Sequence, residues 1–125
     1  MTVLSVDFVG LRTHRLAEST ALFRDVLGLP VEKQSGDLVR FRLADGAALE
    51  LYGLDNEFHS FFTTGPVIAF RVADFKRARE AMIAAGVQFI GELQHEDGHS
   101  WQHFHAPDGT VLELSGYAAS ASEDP

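Results

Sequence analysis

Apolar and polar residues alternate near the start of the chain with the two-residue period of a β-strand. Val9 and Leu11 fall on one face of residues 4–13, and Phe8 and Arg12 fall on the other. Successive side chains of a strand point to opposite faces of its sheet. The segment is therefore predicted to be a half-buried strand.

Two later segments have the 3.6-residue period of an amphipathic helix. Residues 16–27 end before Gly28, which can take a left-handed cap conformation, and Pro30 blocks continuation. The second helix is predicted to begin after Asp74, a good N-cap, and to end before Gly86. The predicted apolar stripes are Leu16, Leu22, Phe23, Val26, Leu27 and Leu29 in the first helix, and Phe75, Ala78, Met82 and Ala85 in the second.

The same order of elements occurs twice. FRLADGAALEL (41–51) matches FHAPDGTVLEL (104–114), and DFVGLRT (7–13) is similar to PVIAFRV (66–72). Within the first pair, ADG and PDG are predicted hairpin turns in which glycine takes a positive φ. Each half therefore predicts strand, helix, strand, strand.

The length indicates a single domain over residues 1–125, because domains commonly hold about 100–200 residues. A half of about 60 residues makes a poor core alone, so the two halves are expected to share one. The predicted organisation is module one over 3–53, a linker over 54–65, module two over 66–117 and a frayed tail over 118–125.

Composition excludes several classes of protein. The chain has no cysteine, which excludes disulfide scaffolds and thiolate metal sites. A net charge of −8 argues against nucleic acids and anionic membrane surfaces as partners. The N-terminus does not resemble a signal peptide, and no apolar run approaches the roughly 18 residues of a membrane span. A cytoplasmic location is expected.

The leucines in the last strand of each module indicate which face of that strand is buried. Leu49 and Leu51 are expected to face the helices, so Glu50 and Tyr52 face the opposite, concave side of a curved sheet. By the same parity Glu113 faces the concave side of module two. A hairpin loop of three residues fixes which residues of the two strands it joins lie opposite each other. We therefore expect Arg40 opposite Glu50 and His103 opposite Glu113.

Five segments together resemble the vicinal oxygen chelate superfamily of glyoxalase I, bleomycin-resistance proteins and extradiol dioxygenases. They are VDFVGLRT, FRDVLGLPVE, ALELYG, VIAFRVAD and APDGTVLELSG, and the similarity covers about residues 3–117. The resemblance implies an α+β fold in which two βαβββ modules form a curved mixed sheet, a cup backed by helices. It also implies a homodimer that binds a small molecule.

In catalytic members four side chains usually hold a divalent metal. The resemblance places these positions at Phe8, Glu50, Val67 and Glu113. Phe8 and Val67 have no lone pair to give to a metal, whereas Glu50 and Glu113 alone could hold Mg²⁺ or Ca²⁺ weakly. The expectation is therefore no cofactor, with a divalent metal at Glu50 and Glu113 as the alternative.

The concave side supplies the candidate site residues. Glu113 beside His103 is typical of an oriented general base, or of a satisfied polar pair in an inert pocket. Trp101 could stack on a flat ligand or accept a cation over its ring. The predicted ligand-binding residues are Phe8, Arg12, Arg40, Arg42, Glu50, Tyr52, Val67, Arg71, Trp101 and His105.

Three other features have two interpretations each. Arg12 and Arg71 could hold an anionic group bidentately or pair with surplus acids. His95 and His99 are predicted in a solvated loop, or in a mobile lid. The linker aromatics are expected to seal the core at the module joint or to line a pocket mouth: Phe58, His59, Phe61 and Phe62.

Three functions follow, and whether any reaction is catalysed is open. The first is small-molecule binding without the usual metal, because Phe8 and Val67 make the floor of the cup apolar. The second is a metal-dependent lyase, isomerase or dioxygenase with relocated ligands. The third is a metal-free acid–base enzyme. The residues assigned to the second are Glu50, Glu113, His103 and His105, and the third uses His103 and Glu113.

Overall fold

A computed structural model describes residues 1–118, and the chain divides into two compact units. The first unit is Asp7–Ile68, and the second is Met1–Val6 together with Ala69–Pro125. The first six residues thus group with the second unit, although they precede the first helix in sequence. The tail predicted to fray lies almost entirely outside the described residues, which end at Ala118.

The first unit contains a mixed sheet of four strands in the order β2-β3-β4-β1. Strand β1 is parallel to β4, and the two hairpins β2–β3 and β3–β4 are antiparallel. The elements are β1 (Val3–Arg12, which belongs to this unit from Asp7 onward), α1 (Leu16–Ala21), β2 (Val31–Ser35), β3 (Leu38–Arg42) and β4 (Ala48–Tyr52).

The second half of the first helix departs from the prediction. Leu22–Val26 is a π-helix, and the amide of Leu27 donates to the carbonyl oxygen of Leu22 at 3.0 Å. This wider turn breaks the 3.6-residue period, so three predicted stripe positions are wrong. Leu22, Val26 and Leu27 are exposed, whereas Leu16, Phe23 and Leu29 pack against the buried core of Val39, Phe41 and Leu51.

The second unit repeats this arrangement in the strand order β5-β8-β7-β6. Strand β5 is parallel to β8, and its helix packs on the sheet through a core that includes Phe75, Ala78 and Leu114. The elements are β5 (Val67–Val72), α2 (Phe75–Ala84), β6 (Phe89–Glu96), β7 (His99–His105) and β8 (Val111–Tyr117).

The predicted ends of the second helix are confirmed. The carboxylate of Asp74 accepts a hydrogen bond from the backbone amide of Arg77 at 3.2 Å, which satisfies one free donor of the first turn. Gly86 has a φ of +93° directly after the helix, as a left-handed cap requires. Ala85, assigned to the apolar face, is instead exposed.

Residue patterns alone missed one strand in each unit. Strand β2 is exposed along its whole length, so it has no apolar alternation to detect. Strand β6 is interrupted by a register shift between Ile90 and Gln94. The βαβββ order implied by the family resemblance is the correct one, and the predicted α+β fold class is confirmed.

The predicted loop around His95 and His99 is wrong. His95 lies near the end of β6, and His99 is the first residue of β7. A tight turn at Asp97 and Gly98 joins the two strands. Both turn residues have positive φ, +51° and +80°, which is the backbone of an Asp-Gly hairpin. The EDG sequence carried this signal.

No described helix is long and apolar enough to span a membrane.

Candidate functional site

The strand register predicted from the two hairpin loops is confirmed. Arg40 lies opposite Glu50 on neighbouring strands of the first unit, and His103 lies opposite Glu113 in the second. In each unit the leucines of the last strand pack toward the helix. Because side chains alternate along a strand, each glutamate and its partner occupy the other face.

Both carboxylate oxygens of Glu50 are engaged within the first unit. The Nε of Arg40 donates to Oε2 at 2.5 Å, and the hydroxyl of Tyr52 donates to Oε1. Glu50 is 7% exposed and Tyr52 is fully buried. A buried carboxylate is stable only when it is paired and hydrogen-bonded, and these two donors supply that compensation.

Glu32 joins this network, and the sequence reasoning missed it. The guanidinium of Arg42 binds Glu32 with both Nε and Nη2, at 2.7 and 2.6 Å, and Arg40 approaches the same carboxylate at 3.7 Å. Glu32 lies in β2 at a register shift, and the strand was not recognised because it is exposed. The two predicted ligand-binding arginines, Arg40 and Arg42, are therefore already paired with acids.

The pKa values follow from these pairings. The hydrogen bond from Arg42 lowers the pKa of Glu32 below its ordinary value. Burial disfavours the charge of Arg40, but the hydrogen bond and attraction from Glu50 outweigh it, so the pKa of Arg40 is raised. Glu32, Arg40 and Arg42 therefore remain charged near neutral pH.

Aromatic rings pack around the hydroxyl-bearing end of this network. The ring of His59 stacks on Tyr52 with centroids 3.6 Å apart, and Phe62 meets Tyr52 edge-on at 5.6 Å. Phe62 is buried and lines a surface cleft, whereas Phe58 is 58% exposed. Of the linker aromatics, Phe62 thus contributes to a pocket wall.

The donor set does not fit the metal of the family. Val67 is fully buried hydrocarbon, Phe8 offers only an aromatic ring, and Glu50 is held by Arg40 and Tyr52. Among residues 1–118, no group of three or more histidine, aspartate or glutamate side chains could hold a metal ion. A cation at Glu50 would compete with a guanidinium already in contact.

In the second unit His103 and Glu113 form a buried pair. The Nε2 of His103 lies 3.0 Å from Oε1 of Glu113, and the residues are 7% and 6% exposed. This contact orients the imidazole ring of His103 toward the carboxylate. The predicted contact between His103 and Glu113 is therefore present.

Trp101 lies on the same strand and face as His103, opposite Ser115. Its indole stacks on His99 at 5.3 Å, and His99 also contacts Tyr117 at 5.0 Å. Trp101 is partly exposed, so one part of the ring is accessible. The sequence does not predict this row of rings, because its pattern places His99 in a loop.

The remaining candidate residues have different surroundings. His105 and Arg71 are exposed. Arg12 is partly buried, donates from Nη2 to the carbonyl oxygen of Leu54 at 3.3 Å, and lines the same cleft as Phe62.

Known proteins share this fold. A solved member of the glyoxalase/bleomycin resistance protein/dioxygenase superfamily from Vibrio splendidus 12B01 is 21% identical, with a TM-score of 0.65 over 92% of this chain and 99% of that one. Methylmalonyl-CoA epimerase from Mycobacterium tuberculosis is 19% identical, with a TM-score of 0.68 over 98% and 93%. The Mn(II)-bound glyoxalase from Novosphingobium aromaticivorans is 21% identical, with a TM-score of 0.72 over 98% of this chain and 42% of that one.

No curated protein matches the chain. The family model for the Glyoxalase/Bleomycin resistance protein/Dioxygenase superfamily matches residues 5–114. This chain therefore belongs to the glyoxalase/bleomycin resistance protein/dioxygenase superfamily.

Proposed function

We propose that this protein binds a small organic molecule without the divalent metal used by catalytic relatives. The observation that carries the proposal is the state of Glu50, whose two oxygens bind Arg40 and Tyr52. With hydrocarbon at Phe8 and Val67, only Glu113 is left of the four positions, and it is paired with His103. One carboxylate with a resident partner is a poor metal ligand set.

The second unit supports a binding role. Its sheet face presents the accessible indole of Trp101 beside the polar pair of His103 and Glu113. Small-molecule sites commonly combine apolar or aromatic surface with a few positioned polar groups. A flat ligand stacked on Trp101 could exchange a hydrogen bond with the pair.

Elemental analysis of protein purified without chelators tests the metal part of the proposal. We expect less than about one-tenth equivalent of transition metal, before and after loading with Mn²⁺, Ni²⁺ or Zn²⁺. Glu50→Gln serves as the matched variant, because it removes a charge while preserving size. Stoichiometric metal that is lost in Glu50→Gln would refute the proposal.

Fluorescence tests the binding part, because Trp101 is the single tryptophan of the chain. Emission is followed while a cationic glycopeptide or a small aromatic acid is added, and calorimetry measures the heat of the same titrations. We expect one of these classes to shift the emission saturably. An unchanged emission with no heat for either class would count against a binding role.

The spacing of His103 and Glu113 favours a second candidate, metal-free acid–base catalysis. The 3.0 Å contact orients the imidazole, and one positioned group commonly contributes about 10²–10⁴-fold to a proton transfer. The test is exchange of the proton next to the carbonyl of branched acyl thioesters in D₂O, followed by NMR. Exchange that is abolished in His103→Gln, with the fold retained, supports catalysis; exchange no faster than in buffer excludes it for these carbon acids.

A further inference from the structure

A cleft of about 300 Å³ opens at the surface of the first unit. Its wall is about equally polar and apolar, and the polar side chains belong to Arg12 and Thr63. The lining residues are Leu11, Arg12, Leu54, Phe62, Thr63, Gly65 and Pro66. This volume lies at the lower end of the range for small-molecule sites, which is about 300–1,000 Å³.

Arg12 is short of acceptors. Among residues 1–118 its one hydrogen bond runs from Nη2 to the carbonyl oxygen of Leu54 at 3.3 Å. The Nε atom is inaccessible to water and contacts no acceptor among the described residues. No carboxylate of residues 1–118 forms an ion pair with it, unlike Arg40 and Arg42.

A guanidinium has five N–H donors in a rigid fork, and a buried donor without an acceptor destabilises the protein. A carboxylate in the cleft could bind the terminal nitrogens of the guanidinium, which would give Arg12 the charged partner that it lacks among the described residues. Thr63 adds a hydroxyl that could donate to the same anion.

We propose that this cleft binds a small monocarboxylic acid, with its carboxylate on Arg12 and its apolar body against Leu11, Leu54 and Phe62. The single guanidinium matches one negative charge. The apolar part of the wall disfavours a second charge on the ligand, and the net charge of −8 repels polyanions. The cleft belongs to the first unit alone, and the proposal does not depend on the metal-free binding role.

Benzoate is a suitable probe, because it has one carboxylate and a compact ring. Its affinity is measured by calorimetry, and the amide signals of Thr63 and Gly65 are followed by NMR to locate it. We expect saturable binding that Arg12→Gln weakens about tenfold or more, since charge-assisted hydrogen bonds are lost. Arg15→Gln removes the same charge from an exposed residue and should change the affinity less than twofold.

Two further probes separate the carboxylate from its alternatives. Benzamide has nearly the same shape without the charge, and inorganic phosphate has charge without the ring; both should bind at least tenfold more weakly than benzoate. Equal binding of either probe, equal benzoate affinity in Arg12→Gln, or no saturable benzoate binding would overturn the proposal.

Stability supplies an independent readout that distinguishes a binding role from a structural one. Arg12→Met removes the donor that has no acceptor, so its melting temperature without ligand should equal or exceed that of the unmodified protein. In the presence of benzoate, the unmodified protein should gain thermal stability and Arg12→Met should not. A marked loss of stability in Arg12→Met would show that Arg12 serves the fold instead.

Discussion

Replacing Arg40 by methionine should isolate the role of the buried Glu50 carboxylate. The substitution keeps the aliphatic part of the side chain and removes the guanidinium that contacts Oε2 at 2.5 Å. Glu50 stays buried, and of the donors in the described part of the chain the hydroxyl of Tyr52 alone remains. The folded variant then contains a buried Glu50 carboxylate that has kept Tyr52 and lost Arg40 as a hydrogen-bond donor.

The size of the effect follows from burial. Breaking a fully buried ion pair costs about 3–5 kcal/mol, and a hydrogen bond to a charged group is worth about 1.5–3 kcal/mol. The side chain of Arg40 is 31% exposed, so water screens part of the interaction, and Tyr52 still donates to Glu50. We therefore expect Arg40→Met to lower the free energy of unfolding by about 2 kcal/mol.

Urea denaturation followed by Trp101 fluorescence measures this loss. Arg42→Met is the matched control, because Arg42 lies two residues along the same strand and its partner Glu32 is at the surface. A smaller loss is expected there, since exposed ion pairs contribute little. The double variant Arg40→Met/Glu50→Met removes the uncompensated charge. Its loss in the free energy of unfolding should therefore be smaller than the sum of the losses of the two single variants.

A loss no greater in Arg40→Met than in Arg42→Met would refute the reasoning. It would mean that Glu50 does not need its guanidinium partner, and that the carboxylate is available to bind something else. The metal-free proposal would then lose its main support.

Three further predictions concern single positions. Asp74→Ala removes the N-cap of α2 and should lower the free energy of unfolding by about 1 kcal/mol in urea titrations; no loss would show that the cap is dispensable. Gly116→Ala places a Cβ 2.5 Å from the carbonyl oxygen of Val72 on the neighbouring strand and should cost about 1–3 kcal/mol in the same assay, whereas an unchanged midpoint would contradict the close strand approach. Because Arg42 lowers the pKa of Glu32, the stability from this pair should be present above the ordinary glutamate value of 4.5 and be lost as the pH falls through the lower folded value. NMR titration should therefore show Glu32 titrating below 4.5 and returning toward it in Arg42→Gln; identical curves would refute the assignment.

Local signals predicted much of the fold. The ADG and PDG turns have glycines at positive φ, and their loop length sets which residues face each other across the hairpin. This is why the pairing of Glu50 with Arg40 and of Glu113 with His103 could be predicted without coordinates.

Other elements had no readable local signal. Strand β2 is exposed on both faces, so its residues lack alternation, and Glu32 could not be assigned to the network. The π-helix at Leu22–Val26 changes the helical period, and a stripe computed for an ordinary α-helix therefore places Leu22 and Val26 on the wrong side.

The sequence by itself determined the fold class, the repeat, the strand register and the absence of metal-binding atoms at Phe8 and Val67, because these depend on residue type and spacing. Only the tertiary structure decided the surroundings of Arg42 and Arg12. Arg40, Arg42 and Arg12 look alike in the sequence, yet the first two contact carboxylates and the third lines a cleft with a buried donor. The hairpin loop predicts that Arg40 faces Glu50, but the partner of Arg42 lies on the exposed strand β2 and the cleft at Arg12 is lined by the linker, and no local pattern encodes those positions.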